Sequence, residues 1–151
     1  MYFDTHVHLN SSPLYEDIDT YIEHALANGV NEMMVVGFDL ETSRKAIEIA
    51  NQYAFIYAAV GIGPNDCKET TDEDLNQIDE MLAQEKVIAL GEVGLDYYWD
   101  EVSRAKQQEV FSKQIELAKK HNVPLVIHSR DALNDTYELL KAGQHYEIGR
   151  A

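Results

Sequence analysis

Basic residues are scarce in this sequence: 12 Lys and Arg stand against 27 Asp and Glu, for a formal net charge of −15. Bulk electrostatic affinity for a polyanion is thereby excluded, because that grip comes from clustered cations. Cysteine is nearly absent. Cys67 has no partner for an internal disulfide, which suits a reducing compartment and leaves it structurally neutral. No apolar run approaches the ~18–20 residues of a membrane span, and the N-terminus lacks the basic flank and apolar stretch of a secretory signal. A cytoplasmic chain with no membrane partner is expected. No linker, low-complexity tract or charge block interrupts it, so residues 1–151 read as one domain. The composition, 45% hydrophobic and 26% charged, is that of a packed core and not of a disordered chain.

Apolar β-rich runs alternate with segments of helical period. Strands are expected at Met1–Leu9, Met33–Gly37, Phe55–Ile62, Val87–Val93 and Val123–His128. The first helix places Ile18, Tyr21, Ile22, Ala25 and Leu26 on one face and stops at Gly29. A second lies near Thr42–Gln52, and a third opens at Thr71, with Asp74 three residues later. A long helix runs from about Val102 to His121, and a fifth from about Asp131 ends at Gly143. Helical crossovers require parallel pairing. Two α/β architectures compete: a five-stranded doubly wound sheet, complete at this length, and a (β/α)8 TIM barrel of ~200–250 residues, of which the chain would hold about five βα units. Length favours the open sheet, whereas the positions of the polar residues favour the barrel.

Near the end of the first strand, Asp4-Thr5-His6-Val7-His8 puts Asp4, His6 and His8 on one face by strand alternation. Neutral imidazole is a common ligand for transition metals, so His6 and His8 form a plausible half-site; capping by neighbouring backbone is an equal alternative. Glu92 interrupts an apolar strand, where an unpaired carboxylate costs several kcal/mol unless a cation or strong donors meet it. A buried Glu–Arg pair is the bland reading, but the core strands carry no basic residue. His128 ends the fifth strand and, taken alone, reads as a satisfied core histidine. Four candidate ligands ending three parallel strands form the layout of barrel enzymes, whose sites lie at the C-terminal face.

The chain resembles the N-terminal part of the TatD family of metal-dependent deoxyribonucleases, up to about Leu140. The resemblance rests on Asp4-Thr5-His6-Val7-His8, Val60-Gly61-Ile62, Ala89-Leu90-Gly91-Glu92-Val93-Gly94-Leu95-Asp96-Tyr97-Tyr98, Gln114 to Ala118, and Pro124 to Asp131. It implies an incomplete TIM barrel hydrolysing DNA phosphodiesters, with His6, His8, Glu92 and His128 as ligands of two divalent ions (Mg, Mn or Zn). His6 and His8 would hold one ion and His128 the other, with Glu92 shared and catalytic. Arg130 would meet substrate phosphate, or else pair with Asp131 at the surface. Asp96 and Ser129 are further candidates for orienting ligands. Of Tyr97, Tyr98 and Trp99, one exposed ring could stack on a base while at least two pack against the loop.

The sequence departs from the family pattern where His-Pro followed by His or Tyr is usual: it reads Gly63-Pro64-Asn65, which removes a polar contact to substrate. The family's Phe-His-x-Phe-Ser-Gly setting and its late catalytic Asp are not found, so activity is expected to be impaired by truncation. Residues 141–151 match poorly and read as a divergent tail, with His145 in solvent. The low positive charge favours DNA ends or single strands over duplex. The alternatives are a related amidohydrolase or phosphoesterase on a small molecule, and an inactive fragment that self-associates through open strand edges.

Overall fold

A computed structural model of the chain describes residues 1–143, and it contains five strands alternating with five helices. β1 (Tyr2–Val7) passes through a short 3₁₀ turn at Leu14–Asp17 into α1 (Ile18–Ala27). There follow β2 (Val30–Val36), α2 (Leu40–Gln52), β3 (Ile56–Val60) and α3 (Asp72–Leu82). β4 (Val87–Asp96), α4 (Arg104–His121), β5 (Leu125–Arg130) and α5 (Leu133–Ala142) complete the order.

Short-range chemistry fixes the helix ends. The Asp39 carboxylate accepts the Thr42 N–H at 2.7 Å while the Thr42 hydroxyl accepts the Asp39 N–H at 3.1 Å, so α2 opens on a reciprocal cap. Thr71 and Asp74 do the same for α3, as their spacing predicts. α4 opens at Ser103, whose hydroxyl accepts the Lys106 N–H at 3.2 Å. It closes at Asn122 in the left-handed conformation (φ 53°), with Lys119, Lys120 and His121 in the last turn against the negative end of the helix.

All strand pairs are parallel and their spatial order is β1-β2-β3-β4-β5. A doubly wound sheet reverses its order at a switch point, whereas strands laid down in sequence carry every crossover on one side. The sheet curls into a half-barrel with its helices outside, which settles the competition in favour of the barrel. The two faces are packed differently. Between sheet and helices lie Val35, Ile49, Ile56, Ile78, Leu90, Phe111 and Ile115, all buried. The alternate residues Met34, Val36, Ala59, Ala89 and Val126 form a smaller cluster of their own on the concave face.

β4 continues past Val93 to Asp96 and β5 past His128 to Arg130, because Gly94, Leu95 and Asp96 pair with His128, Ser129 and Arg130. The apolar runs alone would end both strands too early. Gly94 makes this pairing possible: its φ is +139°, and a β-carbon there would lie 2.0 Å from the His128 carbonyl oxygen. At Gly91 a β-carbon would meet that of Val126 at 2.4 Å, so the glycines of Gly91-Glu92-Val93-Gly94 let β5 approach.

Cys67 is buried, its thiol directed at the Pro64 carbonyl, and loss of hydration pushes it up to about 11, which fits a structural role. No helix among the described residues is long and apolar enough to cross a membrane. Lys141, Ala142 and Gly143, placed in the divergent tail by sequence, close α5; residues 144–151 of that tail, His145 among them, lie outside the described residues.

Candidate metal centre

Because the strands are parallel, their C-terminal ends share one face, and β1, β4 and β5 bring His6, His8, Glu92 and His128 together there. The His6 and His8 Nε2 atoms are 3.1 Å apart. They lie 3.7 and 3.6 Å from Oε2 of Glu92. A point equidistant from these three atoms is about 2 Å from each, the length of the ~2.0–2.2 Å bonds that imidazole nitrogen and carboxylate oxygen make to zinc. His8 is further oriented by the Val36 carbonyl, 2.9 Å from its Nδ1. A carbonyl can only accept, so Nδ1 carries the hydrogen and the lone pair of a neutral ring is on Nε2, facing Glu92. The donor set therefore fits a divalent cation.

Two asparagines escaped the sequence reading. Asn10, fully buried, donates to the same Val36 carbonyl at 3.0 Å and to the Thr42 carbonyl at 2.9 Å, so it braces the acceptor that orients His8. Its Oδ1 is left without a partner. Asn65 donates to Asp96 at 3.2 Å. The signal for each was position: Asn10 follows His8 by two residues, and Asn65 ends the Gly63-Pro64-Asn65 segment.

His128 belongs to a second group. Its Nδ1 lies 3.2 Å from Oε1 of Glu92 and its Nε2 lies 2.8 Å from Oδ2 of Asp96. Hydrogen bonding to Glu92 raises its affinity for a proton against the opposing effect of burial, and Asp96 adds to the rise. Glu92 is pushed well below the ordinary carboxylate range, first by His128 and then by His6. For Asp96, burial pushes upward, but Asn65, His128 and the Tyr98 N–H together outweigh it and hold the group below its usual value. Gln107 fixes the Asp96 backbone from both sides, at 2.8 and 2.9 Å.

The other sequence candidates divide. The Asp4 carboxylate turns back to its own strand, accepting the His6 N–H at 3.1 Å, and does not join the centre. Ser129 points away from it, 3.0 Å from the Thr136 hydroxyl. Arg130 reaches inward, its Nε 3.8 Å from Asp96, because strand register sets these two residues side by side. Tyr97 packs as expected, its hydroxyl donating to Asp135 at 2.6 Å. Tyr98 and Trp99, by contrast, are 60% and 49% exposed, so only Tyr97 of the three aromatics packs against the core, and it is half-buried.

Beside the centre a cavity of about 340 Å³ is lined by Asp39, Asp66, Glu69 and Asp74, with Arg44 at its wall. Loss of hydration, reinforced by Asp39 and Glu92, pushes Asp66 up to about 6. A β-carbon on the buried Gly63 would lie 3.3 Å from Asp66 Oδ2, 3.5 Å from the Phe38 carbonyl oxygen and 3.6 Å from that of Glu92, so a side chain here requires the Asp66 carboxylate to give way by a few tenths of an ångström.

The family model described as TatD related DNase matches residues 3–149. YabD of Bacillus subtilis, named as an uncharacterized metal-dependent hydrolase, is 49% identical over 141 residues, or 93% of this chain and 55% of its own length. A protein of Escherichia fergusonii named as a 3'-5' ssDNA/RNA exonuclease, TatD, is 33% identical over 86% of this chain and 50% of its own. The crystal structure of the TatD homolog YjjV from Escherichia coli superposes with a TM-score of 0.89 at 30% identity, covering 94% of this chain and 56% of that one. The chain thus spans about half the length of the curated relatives it matches.

Proposed function

Since the chain belongs to the family of TatD related DNases, whose members here are metal-dependent hydrolases, we propose that it is a divalent-metal phosphodiesterase acting on single-stranded DNA. The observation that carries this reading is the triangle of His6, His8 and Glu92, three donors spaced for one cation. The relative named as an ssDNA/RNA exonuclease supports the choice of substrate. His6, His8 and Glu92 would hold one ion, and His128 with Glu92 a second. A divalent ion supplies the positive charge that neutralises a phosphoryl group and activates water at neutral pH.

The protein's own part is preorganisation. Glu92 stays ionised over the whole neutral range because imidazoles surround it. His8 is locked in one tautomer by Val36, and His128 in one orientation by Asp96. The His128 ring faces an ionised carboxylate through each nitrogen, which favours a hydrogen on both, so to hold a metal ion through either nitrogen it would first have to give up that hydrogen. Arg130, half of its side chain in solvent, lies beside Asp96 and would be placed to meet a phosphate oxygen.

Cleavage of single-stranded DNA should depend on added Mn²⁺ or Mg²⁺, stop with EDTA, and be lost in Glu92→Ala; metal-independent cleavage would refute the proposal. Self-association is the second part of this reading. Among the described residues β1 and β5 each have one strand neighbour, and Tyr2 and Phe3 on the β1 edge are 69% and 42% exposed. Light scattering should report a dimer or larger species, and a stable monomer at high concentration would count against it.

A further inference from the structure

The β4–α4 loop presents the two large aromatics that the centre does not use. Tyr98 and Trp99 stand edge to face, centroids 4.7 Å apart at 86°. The Arg130 guanidinium lies 5.5 Å from the Tyr98 centroid, and half of its side chain is in solvent. This group is anchored to the centre by one carboxylate. Asp96 accepts the Tyr98 N–H at 3.1 Å through Oδ1, while its Oδ2 meets His128 at 2.8 Å and Arg130 at 3.8 Å. The Tyr98 backbone is therefore held in register with His128.

We propose that Tyr98, Trp99 and Arg130 form a landing site for one unpaired nucleotide, the rings taking the base and the guanidinium its phosphate. The proposal rests on the phosphodiesterase reading and adds what selects the substrate. Charge explains why such a site is needed. At −15 the chain repels a polyanion at long range, so its grip must come from contacts indifferent to net charge, together with local cations. Base stacking on an aromatic face is of that kind, and it requires an unpaired base, since a base inside a duplex has both faces covered. A planar guanidinium beside the rings can stack on a base or fork onto a phosphate.

Trp99 is the sole tryptophan, so its emission reports on this site alone. The full chain is titrated in EDTA with single-stranded oligothymidylate and with an abasic phosphodiester of equal length. Oligothymidylate should quench the emission, and the abasic strand should leave it unchanged and bind about tenfold more weakly. Fluorescence anisotropy of a labelled oligothymidylate should show about a tenfold loss for Trp99→Ala and a smaller one for Trp99→Phe. With metal restored, Trp99→Ala should raise KM and leave kcat close to that of the parent. Unchanged Trp99 emission with equal affinity for both strands, in a chain that still cleaves DNA, overturns the landing site and leaves the phosphodiesterase intact. Quenching in a chain that never cleaves DNA supports the site and refutes the phosphodiesterase. Neither binding nor cleavage refutes both.

Discussion

Glu92 and Asp66 are neighbouring carboxylates near the strand ends, yet their surroundings drive them in opposite directions. Glu92 faces His6, His8 and His128 and is held strongly ionised. Asp66 faces Asp39 and Glu92 beside an acid-lined cavity and is pushed up to about 6. Partial burial opposes ionisation in both. What differs is the sign of the neighbours, and it outweighs dehydration at Glu92 and reinforces it at Asp66. The comparison separates a carboxylate prepared to share a cation from one that merely tolerates its charge, a distinction that residue type alone does not make.

The sharpest way to break this comparison is to remove the charge of Glu92. Glu92→Gln keeps the shape but loses the anion between the imidazoles, and metal-dependent kcat/KM should fall by about a thousandfold or more, roughly 4 kcal/mol of transition-state stabilisation. Next in size is Asp96→Asn, which removes the anion that orients His128. Removing such a supporting group typically costs roughly 10–100-fold in metal affinity or activity, so a calorimetric metal titration should show weaker uptake while His6, His8 and Glu92 remain in place.

Two smaller tests address the Asp66 side. Gly63→His needs only the Asp66 carboxylate to shift at its β-carbon and sets an imidazole next to that carboxylate, which would convert the acidic corner towards the environment of Glu92. A donor regained for a charged phosphate should raise kcat/KM about tenfold, and a drop would show that the position is closed. Asp66→Asn tests the opposite shift. Because the Asp66 pKa is raised on folding from 3.8 to about 6, the stability this carboxyl lends the fold is complete below about pH 4 and is lost as pH rises through about 6. In EDTA, Asp66→Asn should melt higher than the parent at pH 7.5 and equal to it at pH 4. Solvent contact keeps the gain small, roughly 2 °C.

Much of the architecture was legible because β2 to β5 carry apolar runs and three of the five helices, α2, α3 and α4, open on a side-chain cap, as Thr71 and Asp74 illustrate. Periodicity left barrel and open sheet in competition, since it carries no information on which strands pair; the placement of the polar residues and the family resemblance favoured the barrel, and the sequential strand order bears that out. At the centre, His6, His8, Glu92 and His128 stood out as polar residues interrupting or ending apolar strands, and they converge as expected. Asp4 did not follow, because alternation tells which face a side chain leaves from but not whether its own backbone will claim it. Asp96 showed only as one orienting candidate among several, since its role depends on the register that sets it beside Arg130 and on the imidazole that reaches it from His128. Asn10 was invisible for the same reason: its importance lies in two carbonyls contributed by β2 and α2.

The most direct test of the account is an anomalous difference map from crystals of the full chain grown with Mn²⁺. The account predicts an anomalous peak bonded to Nε2 of His6, Nε2 of His8 and the carboxylate of Glu92. A map with no peak there, or with the ion held by Asp39, Asp66 and Asp74 instead, would contradict it.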